Sequence, residues 1–110
     1  MFARCVTMQL KPNMAAQFRQ KLESEVLPVL YGQQGFQDEP VLIAQDGREA
    51  IGISLWDNQQ HAEAYFLQSY PEVAQILSKV TDSTPAVKAY DVAISTFQKK
   101  AARGGGGTRA

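Results

Sequence analysis

The chain has 110 residues, 45% of them hydrophobic, which suits one domain with a real core. Eleven Lys and Arg balance eleven Asp and Glu, so no basic face is expected for nucleic acid or an anionic membrane. A single cysteine, Cys5, and a single histidine, His61, exclude an internal disulfide, a cysteine-based zinc site and a multi-histidine metal centre.

Phe2 to Leu10 alternates with period two, placing Phe2, Arg4, Val6, Met8 and Leu10 on one face of a strand. That pattern is not the long apolar run of a signal peptide, and no stretch nears the roughly 20 apolar residues of a membrane span. A reducing cytoplasm is the expected location. Asn13 is a candidate N-cap for the next element. From Met14 to about Gly32 the period lengthens: Met14, Phe18, Leu22, Val26, Val29 and Leu30 form the buried stripe of an amphipathic helix. Pro28 is expected to kink its last turns against the carbonyl of Ser24, and Gly32 and Gly35 end it.

Phe36 to Ala44 and Glu49 to Asp57 read as strands around an Asp46-Gly47 hairpin turn. Pro40 cannot donate to a ladder, so the first of these two belongs at a sheet edge or a bulge. Asn58 is a plausible cap for a second helical region reaching about Val80, within which Pro71 opens a fresh segment. Val87 to Phe97 is the last expected strand. Beyond the domain, placed at residues 1–98, residues 99–110 contain Gly104 to Gly107 and are expected to be a flexible tail.

Strand, helix, strand, strand, helix, strand is the split β-α-β order of an α+β, ferredoxin-like domain with an antiparallel sheet. Right-handed crossovers put the first and third strands in the middle, and the second, with Pro40, at an edge. Helices would cover one face of the sheet. The other face is also apolar, and the sheet of a second copy is its simplest cover, so a homodimer is expected.

Three stretches, "VLPVLYGQQGFQDE", "GISLWDNQQHAEAYF" and "YPEVAQIL", carry a family resemblance. Over residues 2–98 the chain resembles the antibiotic biosynthesis monooxygenase (ABM) superfamily of dimeric α/β-barrel proteins. The resemblance implies a small-molecule substrate and puts Trp56 at the position of an aromatic common to the group. The polyketide oxygenases of that superfamily carry an Asn and a Tyr where this chain has Gly52 and Ala62. Its haem-degrading branch carries a Trp and a His where this chain has Tyr65 and Gln75, which leaves haem iron without an evident axial ligand.

The residues themselves offer several candidates. His61 stands one helical turn before Tyr65 and suits a general base, or it is a polar residue at a helix start. Arg4, a charge among apolar neighbours, needs a partner or holds an anionic group, unless it simply meets solvent. Trp56 is a wall for a flat ring or a core side chain with its indole N–H satisfied, and Tyr31, Phe36, Tyr65 and Phe66 line a cavity or pack as core. Cys5 reads as a small buried residue rather than a nucleophile, and Asp38 and Glu39, being adjacent, face opposite ways and form no carboxylate pair.

Two functions fit. One is a monooxygenase-type enzyme for a small aromatic or polyketide-like molecule, with no metal and no tightly bound organic cofactor. In it His61, Tyr65 and Arg4 are catalytic, and Trp56, Tyr31, Phe36 and Phe66 bind substrate. The other is a non-catalytic ligand-binding or assembly domain on the same barrel. A closed pocket where Trp56, His61 and Tyr65 converge favours the enzyme; a cavity plugged by Phe18, Leu22 and Phe66 favours the alternative.

Overall fold

Strand β1, Phe2–Gln9, runs through the middle of an antiparallel sheet in the computed structural model, which describes residues 1–96. On one side it pairs with β4, Glu49–Trp56, and on the other with β5, Ala86–Asp91. Outside β4 lie two three-residue strands, β2 (Phe36–Asp38) and β3 (Val41–Ile43). The order is β2-β4-β1-β5 with β3 also on β4, so the fold is the expected ferredoxin-like one. Pro40 lies between the two edge pieces, where its missing N–H breaks no ladder, and its carbonyl accepts from the Ile53 N–H at 2.9 Å. The Asp46-Gly47 turn forms as expected: Gly47 takes φ +74°, and Asp46 Oδ1 accepts from the Arg48 N–H.

The first helical region departs from its expected form. Asn13 does not cap it; Asn13 adopts φ +60°, a left-handed conformation that Asn tolerates, and the helix begins after Met14 with no side-chain cap. Helix α1, Ala15–Lys21, passes through a π-helical segment, Leu22–Val26, into α2, Leu27–Tyr31. Pro28 therefore opens α2 instead of kinking a continuous α-helix, because the wider π turn before it admits a residue that cannot donate. The second region behaves as expected. Asn58 accepts from the His61 N–H at 2.9 Å and caps α3, Gln59–Gln68, while Pro71 stands in the first turn of α4, Tyr70–Ser78.

All helices sit on one face of the sheet. Phe18, Leu22, Val26 and Leu30, four turns of one stripe, meet Tyr65 and Leu77 above Met8 and Trp56. Full burial of a side chain the size of Phe18 or Leu10 contributes about 2–3 kcal/mol each. The opposite face presents Cys5, Ile51, Ile53, Leu55 and Tyr90, all partly or largely exposed. The last strand ends at Asp91, short of the expected extent; Val92 still donates to the Met1 carbonyl, while Ile94 is exposed. Phe97 and the Gly-rich segment 99–110 lie outside the described residues. Among the described residues no helix is long and apolar enough to cross a membrane.

Candidate functional site

A one-residue irregularity in β2 decides which side chains enter the space between sheet and helices. Phe36 is opposite Trp56, but Asp38 is opposite Leu55, so the edge strand carries one residue more than its partner. That bulge reverses the alternation. Asp38 falls in line with the open face, and Glu39 turns toward the helices beside Ser54 and Gly52. A Cβ on Gly52 would stand 3.0 Å from Glu39 Oε2, so the carboxylate fills the space that a side chain at residue 52 would otherwise take.

Below the helices lies a cavity of about 40 Å³, walled by Val6, Met8, Phe18, Leu22, Val26 and Val73. Its polar groups are few: Arg4, Glu39, Ser54, Tyr65 and Tyr70. A second and wider space, about 320 Å³, opens between the first helical region and β3, bordered by Arg19, Glu23, Leu27 and Ile43. Glu39, Leu22 and Val41 line both, so they stand at the threshold between the outer groove and the inner cavity.

Arg4 is 7% exposed. Its Nη2 lies 3.3 Å from Glu63 Oε2, close enough for ion pairing but not aligned for a hydrogen bond, and its guanidinium sits 4.2 Å from the centre of the Phe66 ring. Its Nε–H and Nη2–H groups are buried without a hydrogen-bond acceptor among the described residues. Glu39 is the reverse case, a half-buried acid whose carboxylate has no hydrogen-bond donor among them. Desolvation, with Asp38 beside it, pushes its pKa up to about 8. Burial first, then the neighbouring Glu39 and Tyr70, holds the Tyr65 hydroxyl far above its ordinary range, with Arg4 opposing, so Tyr65 is a neutral hydrogen-bond donor. Burial also raises Tyr70 and, together with Glu39, the Cys5 thiol, which sits half-buried on the sheet's other face.

The raised acid fixes a pH dependence of stability. Unfolded, Glu39 ionises near 4.5; folded, near 8. Between these values the unfolded chain sheds a proton that the folded chain keeps, so stability falls as pH rises through the window. The scale is ~1.4 kcal/mol per pH unit at most, less where water reaches the groove. Urea unfolding at about pH 5 and about pH 8.5 should show wild type losing a few kcal/mol and Glu39→Gln losing much less. Equal losses in both proteins would mean that another group titrates.

The other expected site residues are spread along a row of aromatic contacts. Tyr31, 71% exposed, meets Phe36 edge-on, Phe36 meets Trp56, and Trp56 lies 5.1 Å from Tyr65. Trp56 is fully buried, and its indole N–H has no acceptor among the described residues. Phe66 stacks on Tyr70 at 4.8 Å and packs on Arg4. His61 does not line the cavity. Its Nδ1 is 2.7 Å from Asp57 Oδ1, over Gly35, in the first turn of α3. Of the expected site residues the cavity wall thus contains Arg4 and Tyr65; Phe66 packs behind Arg4, and Trp56, Phe36, Tyr31 and His61 lie outside the lining. Glu39 is the member that strand alternation alone could not find, because the bulge sets its face.

No protein-family model matches the sequence, and no curated protein matches it. Solved structures do match its fold. A monooxygenase of Streptomyces coelicolor, the ActVA-Orf6 product in complex with nanaomycin D, aligns over 86% of this chain and 88% of its own at TM-score 0.74 and 16% identity. SnoaB, a cofactor-independent oxygenase from Streptomyces nogalater, covers 86% of this chain and 95% of its own at TM-score 0.71 and 13% identity. A protein of unknown function from Nitrosomonas europaea does so over 86% and 91% at TM-score 0.71 and 14% identity. The ferredoxin-like fold expected from the sequence is thus shared with solved proteins of known and unknown activity.

Proposed function

We propose that the chain is a monooxygenase-type enzyme for a small aromatic or polyketide-like molecule, working as a homodimer without a metal or a tightly bound organic cofactor. One observation carries this reading: an apolar cavity holding an Arg4 whose Nε–H and Nη2–H lack a hydrogen-bond acceptor among the described residues, a neutral Tyr65 and a desolvated acid, reached from an open groove. In such chemistry an electron-rich substrate, once deprotonated, itself passes an electron to oxygen. The protein then has to exclude water, accept a proton and steady an oxyanion. Val6, Phe18 and Leu22 exclude water, Arg4 faces the negative charge, and Tyr65, backed by Trp56, offers a hydrogen bond. The half-exposed apolar face of β1 and β4 supports pairing with a second copy.

A second reading, a non-catalytic ligand-binding domain, draws on the inner cavity's small size and on Phe18 and Leu22 in its wall. At about 40 Å³ it has room for water only, whereas ligand sites usually offer several hundred Å³. An aromatic ring would occupy the outer groove and extend inward by displacing Leu22 or Glu39. Oxygen uptake with hydroquinones and anthrones, on protein whose mass in solution is measured by light scattering, separates the two readings. Protein-dependent uptake that falls roughly tenfold or more in Arg4→Met is expected. A folded dimer that consumes no oxygen with any of them would leave the binding role.

A further inference from the structure

We propose that Glu39 is the general base of this site, taking a proton from an enolisable aromatic ketone or a phenol whose oxyanion then rests on the Arg4 guanidinium, whose Nε–H has no acceptor among the described residues. The inference deepens the proposed function and rests on it for the class of guest. Geometry carries it. Glu39 lines both the inner cavity and the outer groove, so one carboxylate can meet a buried guest and return the proton to solvent. It lies over Gly52, where the absence of a side chain makes room for it.

No ion pair joins Glu39 to Arg4: the arginine's charged neighbour is Glu63, on the α3 side. Acid and cation therefore share a cavity without neutralising each other. Among the described residues the Nε–H and Nη2–H of Arg4 lack a hydrogen-bond acceptor and the Glu39 carboxylate lacks a donor, and a guest whose C–H or O–H becomes an oxyanion would meet both. The step balances simply. For an anthrone, the C–H bond opposite the carbonyl breaks and its proton forms an O–H bond on Glu39. The electron pair moves through the ring to the carbonyl oxygen, which becomes the oxyanion facing Arg4.

The charged and titratable groups around Glu39 are Asp38 just before it in the chain, Arg4 and, through the sheet, Cys5 on β1, Tyr65 on α3, Tyr70 on α4, and Arg19 and Glu23 across the groove. Desolvation sets the balance, and the carboxylate is held at about 8. Only its ionised form accepts a proton, so the rate should rise with pH and level off above that value.

The test separates the base from the oxygen chemistry. Anthrone is incubated in deuterated buffer without oxygen, and deuterium entry at its acidic carbon is followed by NMR. Wild type should accelerate exchange with a bend near pH 8; Glu39→Gln should lose about 100-fold and the bend, and Glu39→Asp should keep part of both. Melting curves establish that each variant is folded. Exchange unchanged in folded Glu39→Gln would overturn the assignment even if oxygen is consumed. So would wild type with no exchange. Exchange lost in Glu39→Gln from a protein that consumes no oxygen would keep Glu39 and remove the oxygenase reading.

Discussion

Gly35→Ala is expected to destabilise the domain by roughly 2–4 kcal/mol, while Gly32→Ala, three residues earlier, leaves stability unchanged or slightly raised. The two glycines flank the turn from α2 into β2 but meet different surroundings. Gly35 holds φ +84°, which an L side chain rarely adopts, and a Cβ there would fall inside contact distance of Asp57 Oδ1 and of the Nδ1 and Cβ of His61. The Asp57 carboxylate can swing away; the His61 Cβ, fixed to the backbone of α3, cannot. The Asp57–His61 contact and the start of α3 would therefore be strained together. At Gly32 the nearest atom to a new Cβ is the Val29 carbonyl at 3.7 Å, an ordinary contact, and alanine restricts the unfolded chain. Urea unfolding of the two variants beside wild type checks the contrast. Equal stabilities would mean that the turn relaxes freely and that Gly35 is not required there.

Trp56→Ala should cost about 3–5 kcal/mol, and Trp56→Phe much less. Trp56 ends β4 fully buried, between Phe36 at 5.7 Å and Tyr65 at 5.1 Å. Alanine leaves a large void under Tyr65 that a sheet on one side and α3 on the other cannot close. Phenylalanine keeps most ring contacts and removes an indole N–H that has no acceptor among the described residues, which offsets part of the lost volume. Because Trp56 supports Tyr65 from below, the alanine variant should also lose activity in any assay that depends on Tyr65. Thermal melts and denaturant titrations decide the matter: a Trp56→Ala midpoint equal to wild type would show that the core repacks.

Local chemistry makes most of the fold legible in the sequence. Asp46-Gly47 names its own turn, Pro40 can only sit at an edge, and Asn58 and Pro71 suit the starts of helices. Alternation along Phe2–Leu10 identifies the helix-facing side, since Phe2, Arg4, Met8 and Leu10 are all buried. What escaped depends on geometry that no short window of residues encodes. Asn13 has the chemistry of a cap yet was needed one step earlier, as the residue that turns left-handed. The π segment, Leu22–Val26, leaves no mark in the spacing, because Leu22 and Val26 keep the i, i+4 step of an ordinary α-helix. Of the site, Arg4 and Tyr65 were legible as a misplaced charge and a helical aromatic. Glu39 was not, since one added residue between Phe36 and Asp38 sends it inward where plain counting would send it outward. His61 has the right chemistry for a base, but its neighbours in space, Asp57 and Gly35, hold it at the rim of α3.

The divided outer strand has a consequence for how this molecule avoids its own kind. A sheet rim with a regular row of free N–H and C=O groups invites a foreign strand, and fibrils grow in that way. Here such a strand would find three residues of β2, then a shift of register and a proline without a donor, then three residues of β3. No run is long enough to nucleate growth from that side. The bulge that turns Glu39 inward and the Pro40 that follows it thus act together as a gatekeeper against polymerisation along that edge.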